Sequence, residues 1–340
     1  MQDKITIALD MMSGDFSVSS SVPAAMKILE EINDVNLILI GDKDLINPLI
    51  SEKSKATKNH RYSIIHTKEY ISMSDDIVSA LRTKKNSSMR LSINAVKNKE
   101  ADACVSAGNT GALMALSKII LKMMPGIDRP AICTALPTKN GQMHMLDLGA
   151  NVDCNSHNLY QFSIMGSALV QSLEVSSKPM IGLLNIGSED FKGNETIKNA
   201  GLMMQKSKLN YGGYVEGDDI FNGNFDVIVT DGFAGNIALK SIEGVANVIS
   251  HFIKTEFKKS LYTKLSALIS YPVLKAVKKK VDPRRYNGAS LLGLQGVVVK
   301  SHGGADSYAF SRAINTAYFE VKNQILNKIE SLIQDKFSNE

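Results

Sequence analysis

The stretch ADACVSAGNTGALMALSKIILKMM, residues 101 to 124, decides the reading of the fold. A short apolar run through Val105 stops at Ser106, Gly108 and Asn109, and an apolar pattern of helical spacing starts at Thr110. That is strand, glycine loop, helix. The same unit recurs in KITIALD (4–10) with PAAMKILEEI (23–32), in VNLILIGD (35–42), in HMLDLGANVD (144–153), in PMIGLLNIGSEDFKGNETIKNAGLMMQ (179–205), in FDVIVTDGFAGNIALKSIEGVANVI (225–249) and in GVVVKSHGGADSYAFSRAINTAYFEV (296–321). Strands that alternate with helices predict a largely parallel sheet covered on both faces. No Pro/Ser linker, low-complexity tract or fixed-period repeat marks a boundary, so residues 1–340 read as a single α/β domain.

The composition fits this class. The chain has 340 residues, 44% hydrophobic and 21% charged, enough to bury a substantial core without staples. Cys104, Cys133 and Cys154 lack CxxC spacing, and MQDKITIALD does not read as a secretory leader, so a reduced, cytoplasmic protein is expected. No apolar run approaches the roughly 20 residues that span a bilayer. The net charge of +5 is uneven: residues 251–285 hold ten Lys or Arg against Glu256 and Asp282, a local +8, which leaves 5 − 8 = −3 for the rest. Aromatics are sparse and not interleaved with this charge, so no nucleic-acid partner is expected.

Ligands of open parallel sheets sit beyond the carboxyl ends of the strands, where loop amides and helix N-termini favour anions. Four exits here carry such chemistry: Ser106, Gly108, Asn109 and Thr110; Asp147, Gly149 and Asn151; Asn185, Gly187, Lys192, Gly193 and Asn194; Asp231, Gly232, Gly235 and Asn236. Converging, they would form one anion-binding cleft. Any one of them alone is ordinary turn chemistry. The absence of GxxxxGK[ST], a well-placed GxGxxG, GxSxG and HExxH removes support for nucleotide, dinucleotide, serine-hydrolase and zincin chemistry. The histidines show no metal-ligand spacing. His60, His66 and His251 read as surface residues, His302 sits at a strand-to-glycine exit as either a structural or a functional group, and Cys104 reads as core.

Taken in order, SAGNTGALMA, GIDRPAI, LPT, LDLGANVD, GLLNIGSEDFKGNE, VTDGFAGNIALKSIEG and GASLLGLQGVVVKSHG resemble the bacterial phosphate acyltransferases of phospholipid synthesis (the PlsX family), over nearly the whole chain from ALDMMSGD onward. The resemblance implies transfer of a long fatty acyl group from acyl carrier protein to inorganic phosphate, giving acyl phosphate for a membrane glycerol-3-phosphate acyltransferase. It implies a three-layer α/β/α sandwich of the isocitrate/isopropylmalate dehydrogenase and phosphotransacetylase type, a homodimer, and neither metal nor organic cofactor. A phosphotransacetylase-like enzyme using short acyl-CoA is the alternative.

On this basis Lys192 neutralises phosphate and the developing charge, and Asn236 orients the reacting groups. Ser106, Gly108, Asn109 and Thr110 cradle phosphate, and Asn151, Asn194 and His302 complete the shell. Asp147, Asp231 and Glu195 are expected to hold loops through backbone amides, since carboxylates facing phosphate would repel it. Lys84, Lys85, Ser87, Ser88 and Arg90 match another family string, as phosphate or carrier contacts or as a basic turn. Ser13 and Gly14 replace the usual glycine pair, and Gly304 stands where serine is common.

Residues 246–285 break the alternation and read as a protruding helical pair interrupted at Pro272. Phe252, Ile253, Phe257, Leu261, Leu265, Leu268, Ile269 and Leu274 share a face at spacings of three and four, with lysines elsewhere. Lys258, Lys259, Leu265, Leu268, Lys278, Lys279 and Lys280 are the expected contacts with a carrier or an anionic membrane, each cation worth about 1 kcal/mol near lipid. Packing on the body or a dimer mate remains open. The resemblance implies peripheral association with the inner face of the cell membrane.

Overall fold

The computed structural model describes residues 4–50 and 61–337; His60 and the side chains of Lys278, Val281 and residues 335–337 lie outside the described part. The strands are β1 (Ile5–Asp10), β2 (Val35–Gly41), β3 (Tyr62–His66), β4 (Ala103–Ser106), β5 (Ala131–Thr138), β6 (Gly141–Leu146), β7 (Ile181–Leu184), β8 (Tyr211–Val215), β9 (Val227–Val229), β10 (Ala289–Leu292) and β11 (Val297–Lys300). The α-helices are α1 (Val18–Glu31), α2 (Lys43–Ile46), α3 (Ile77–Thr83), α4 (Ser88–Lys97), α5 (Thr110–Leu121), α6 (Ser156–Ser172), α7 (Glu195–Gln205), α8 (Gly232–Lys258), α9 (Leu261–Ile269), α10 (Tyr271–Val281), α11 (Ser307–Lys322) and α12 (Ile325–Phe337).

All described strands join one sheet in the order β3-β2-β1-β4-β11-β10-β5-β6-β9-β7-β8. Alternate residues of each strand feed opposite faces: Ile7, Leu9, Val105 and Val299 pack beneath α1 and α11, whereas Ala8, Cys104 and Val298 pack against α4 and α5. Burial on both faces is why these strands read as unbroken apolar runs. Farther along, Met143 and Met145 join a cluster with Ala238 and Leu239 of α8, while Leu146 and Val227 lie under Phe162 and Met165 of α6. The result is the expected three-layer α/β/α sandwich.

The sheet is largely parallel, as expected, and its direction reverses between its two halves. β1, β2, β3, β4 and β11 run one way; β10 is antiparallel to β11 and β5, β5 is antiparallel to β6, and β6, β9, β7 and β8 run parallel to one another. The sheet is therefore two parallel halves of opposite direction, joined through β10 and the β5–β6 hairpin. That hairpin closes with Thr138 opposite Gly141 around Lys139 and Asn140, and Gly141 carries φ 143°. The Asn140-Gly141 pair between apolar runs was its signal in the sequence.

α1 starts at Val18, ahead of the expected Pro23, because hydroxyls of the serine run bond carbonyls within its first turns, Ser20 and Ser21 Oγ to the Ser17 carbonyl oxygen. The basic segment is three helices and not a pair. α8 is 27 residues long, roughly 40 Å at 1.5 Å per residue. A break at Lys259-Ser260, where Ser260 and Thr263 form a capping box, leads to α9, and Ser270 separates α9 from α10, with Pro272 tolerated in the first turn.

Candidate active site

The two sheet directions divide the predicted loops. Exits of β1, β4 and β11 open at one end of the strands, and exits of β6, β7, β9 and β8 at the other. Within the chain the four glycine loops therefore form two groups and not one cleft.

The first group holds Asn151, Lys192, Asn194 and Asn236. Its floor is Asp147, fully buried and joined to Leu146 by a cis peptide bond. Asp147 accepts hydrogen bonds from the Ile132, Ala150 and Asn151 amides and from Asn151 Nδ2, at 2.7 to 3.0 Å. Burial raises its pKa, and those four bonds oppose the shift. Asp147 is scaffolding, as expected. Asn151 is scaffolding too, since its other amide hydrogen goes to the Pro130 carbonyl at 2.7 Å. Asp231 caps α8 through the Ala234 amide at 2.7 Å, and the Gly232 amide bonds the Asn151 carbonyl. A Cβ on Gly235 would lie 1.9 Å from the Asp147 carbonyl oxygen, so only glycine lets α8 seat this closely.

Asn236 projects from the first turns of α8, exposed, against Gly149, whose φ is 121°. Among the described residues its side chain makes no hydrogen bond, which leaves the amide free for a ligand. Lys192 stands on the loop between β7 and α7, framed by Gly187 and by Gly193 at φ 89°. A Cβ on Gly187 would lie 2.1 Å from the Lys192 side chain, so that glycine makes room for the lysine to fold back. Its Nζ is 2.9 Å from a Glu189 carboxylate oxygen, and this hydrogen bond raises the lysine pKa. The amino group is thus a secure cation at neutral pH. Asn194 caps α7 by accepting from the Ile197 amide, and its amide hydrogens remain available. Glu195 differs from expectation: it is exposed and pairs with Lys198 at 3.6 Å instead of holding loop amides.

The second group holds Ser106, Gly108, Asn109, Thr110 and His302. Ser106 is buried, donates to Asp10 at 2.6 Å and accepts from the Gly108 amide, so it braces the loop. Ser13 also bonds Asp10, which gives the Ser13 departure from the family string a structural use. Asn109 caps α5 through the Ala112 amide and donates to the Met73 carbonyl, while Thr110 occupies the first helical position. His302 is exposed, its Nδ1 accepting from the Gly304 amide at 3.1 Å.

Sequence reasoning missed Lys300. It is buried at the end of β11, its Nζ donates to the Ser301 and Ala107 carbonyls, and burial pulls its pKa down to about 8. Its signal was a lysine ending an otherwise apolar strand. Of the string around residue 84, Lys84 is held by Asp75 and the Tyr70 carbonyl, Ser87 and Ser88 are buried, and Arg90 donates to the Leu81 carbonyl. Of Lys84, Lys85, Ser87, Ser88 and Arg90, Lys85 alone is exposed. Among the described residues no cluster of three or more His, Cys, Asp or Glu is arranged to hold a metal ion.

The basic segment presents its apolar side chains outward. Leu261 is 85% exposed, Leu268 72% and Ile269 74%, and Leu265, Val273 and Val277 are also exposed. Among the described residues this face does not pack on the body of the chain; Phe257 and Leu274 alone of the predicted set are half-buried on these last turns. Lys258, Lys279 and Lys280 are exposed, and Lys259, also exposed, pairs with Glu256 at 2.6 Å. Among the described residues no helix is long and apolar enough to cross a membrane.

Comparison with known proteins agrees with the chemistry of these loops. Residues 5–328 match the family described as "Fatty acid synthesis protein". The chain is 52% identical over 330 residues to a phosphate acyltransferase from Nitrosococcus oceani, covering 97% of each chain. It is 51% identical to one from Methylococcus capsulatus, covering 98% of each. Among solved structures, a phosphotransacetylase from Streptococcus pyogenes superposes with a TM-score of 0.64 at 16% identity, covering 95% of this chain and 94% of that one. A branched-chain phosphotransacylase from Enterococcus faecalis gives 0.56 at 13% identity, with 93% and 99% covered. These likenesses establish the fold.

Proposed function

The chain belongs to the phosphate acyltransferases of the fatty acid synthesis protein family, and from that premise we propose that its acyl donor is the long-chain thioester of acyl carrier protein and that its acyl phosphate feeds phospholipid synthesis. The enzyme is an acyltransferase whose acceptor is phosphate.

The reaction needs little from the protein beyond charge and position. A phosphate oxygen attacks the thioester carbon, the carbonyl oxygen becomes an oxyanion, and collapse expels the thiolate while the new C–O–P linkage remains. Phosphate is already ionised near neutral pH, so no strong base is required. It needs a cation and amide donors that hold it in line. Lys192 supplies the cation: its partner Glu189 is exposed, such pairs are weak, and a phosphate dianion competes well for the ammonium. Asn236 and Asn194 supply side-chain amides, with Asn236 aimed at the oxyanion as it develops. Thr110, Asn109, Gly108, Ser106 and His302 shape the second group of loops, where α5 presents its N-terminus.

One observation carries the choice of donor: the exposed basic segment α8–α10, most of whose apolar residues are left uncovered by the described residues. An acidic carrier protein is drawn to such a surface by steering, and the same face suits anionic lipid on the inner side of the cell membrane, next to the membrane enzyme that uses glycerol 3-phosphate. Val245, Val248 and Ile249, exposed along α8, are the surface we propose for contact with a second copy in a homodimer. Comparing palmitoyl carrier protein with acetyl-CoA at equal phosphate tests the donor. A higher kcat/KM for the carrier thioester is expected; preference for acetyl-CoA would replace this reading with a short-chain phosphotransacetylase.

A further inference from the structure

A cavity of about 310 Å³ lies on the sheet face away from α8, between the β10–β5–β6 strands, the end of α6, α11 and the turn leading into β10. Strand register sets its floor. Ser290 lies opposite Cys133, and Ala135 opposite His144, so all four project to this face; Met143 and Met145 point to the other. The small Ala135 leaves the space that a larger side chain would fill.

The groups inside are unusual for a packed core. Glu320 of α11 is 2% exposed and accepts from Ser290 Oγ, and among the described residues its other carboxylate oxygen has no donor. His144 is 4% exposed, and its buried Nδ1 has no hydrogen-bond partner. Burial without a partner disfavours such a group unless a ligand supplies one. Burial also lifts the Glu320 carboxyl to about 7 and drops the His144 imidazole to about 4, so near neutral pH the floor holds an acid that can take up or release a proton and a neutral imidazole.

The mouth has the opposite character. Arg285 and Arg312 are exposed there, and neither pairs with a carboxylate among the described residues. Both are held in place: Arg285 donates to the Lys279 carbonyl at 2.9 Å and Arg312 to the Arg285 carbonyl at 3.4 Å, leaving further N–H groups for a planar anion. Asn315, Asn323 and Thr316 line the passage between mouth and floor.

We propose that this cavity is a binding site, separate from the catalytic loops, for a small oxyanion, a phosphate monoester or carboxylate, whose other end donates hydrogen bonds. The anion sits between Arg285 and Arg312, and the donor end reaches Glu320 and His144. Arg285 also fastens the end of α10, through the Lys279 carbonyl, so an occupied site stiffens the root of the basic segment.

The test is calorimetric titration of the full chain with glycerol 3-phosphate, phosphoethanolamine and, lacking a donor tail, propyl phosphate. Binding of the first two at least tenfold tighter than propyl phosphate is expected, with proton release near pH 7 as the donor stabilises the Glu320 carboxylate. Arg312→Ala and Ala135→Leu should each weaken it tenfold or more, with unfolding curves recorded to verify the fold, and His144→Phe provides a second plug should Ala135→Leu fail to fold. Lys192→Ala should leave it unchanged, since that residue belongs to the other site. Absence of binding by both donor-bearing probes, equal binding of propyl phosphate, or loss of binding in Lys192→Ala with retention in the cavity variants would each overturn the proposal.

Discussion

Lys192 and Glu189 face each other at 2.9 Å across one turn of the loop between β7 and α7, and the pair is open to solvent on both sides. Phosphate therefore has to win the ammonium from a carboxylate that holds it only weakly. Replacing Glu189 with Gln should lower KM for phosphate with little change in kcat, whereas Lys192→Ala should cut kcat/KM by roughly 100-fold or more, the scale of losing one fixed charge at a developing anion. Initial rates over a phosphate series separate the two; equal losses in both variants would contradict a displaceable partner.

Asn236 and Asn151 belong to the same loops and differ in what they touch. The Asn236 side chain has no hydrogen-bond partner among the described residues, so Asn236→Ala should lose roughly 100-fold in kcat while the unfolding midpoint stays put. Asn151 gives both amide hydrogens to buried acceptors. Asn151→Ala should destabilise the fold by about 2 kcal/mol or more, by leaving the Pro130 carbonyl and the Asp147 carboxylate short of donors. Denaturant unfolding beside activity assays distinguishes a ligand-facing amide from a bracing one.

Glu320 sets a pH dependence of stability. Its carboxyl, ordinarily near 4.5, is raised to about 7 by burial, so ionisation is harder in the folded chain. Folding is favoured most below about 4.5, and that contribution is lost as pH rises through 7, by about 3 kcal/mol at most. Glu320→Gln, which keeps an acceptor for Ser290, should be more stable than the parent at pH 8 and similar at pH 4.5. Unfolding free energies that differ equally at the two pH values would speak against it.

The outward apolar face of α9 should matter for lipid and not for folding. Replacing Leu265 and Leu268 with Ser, or Lys279 and Lys280 with Glu, should reduce co-sedimentation with vesicles containing phosphatidylglycerol at least several-fold, while the unfolding midpoint holds. Unchanged co-sedimentation would leave the carrier or the second copy as the occupant of that face.

Much of this architecture was legible in the residues. Strand, glycine loop and helix units from β1 to β11 were readable because both sheet faces are buried and the loops need glycine, and the exposed stripe of α9 was readable from its spacing. The parallel pairing within each half was legible too, but the reversal between the halves was not. The β5–β6 hairpin reverses half of the sheet, and one missed Asn140-Gly141 turn hid the fact that Lys192 and Asn236 leave the opposite end of the strands from Ser106 and His302. Asn194 and Asn236 look alike in sequence, and their different engagement, one capping a helix and the other unpartnered, depends on backbone positions that composition does not carry. Lys300 and Glu320 escaped notice because a charged residue in an apolar run reads as surface until three-dimensional packing encloses it.

The most direct test mixes the purified chain with palmitoyl carrier protein, with and without inorganic phosphate, and measures free carrier thiol together with acyl phosphate trapped as its hydroxamate. Phosphate-dependent thiol release with equimolar hydroxamate, lost in Lys192→Ala, is the predicted result. Thiol release without phosphate, or turnover confined to acetyl-CoA, would contradict the account.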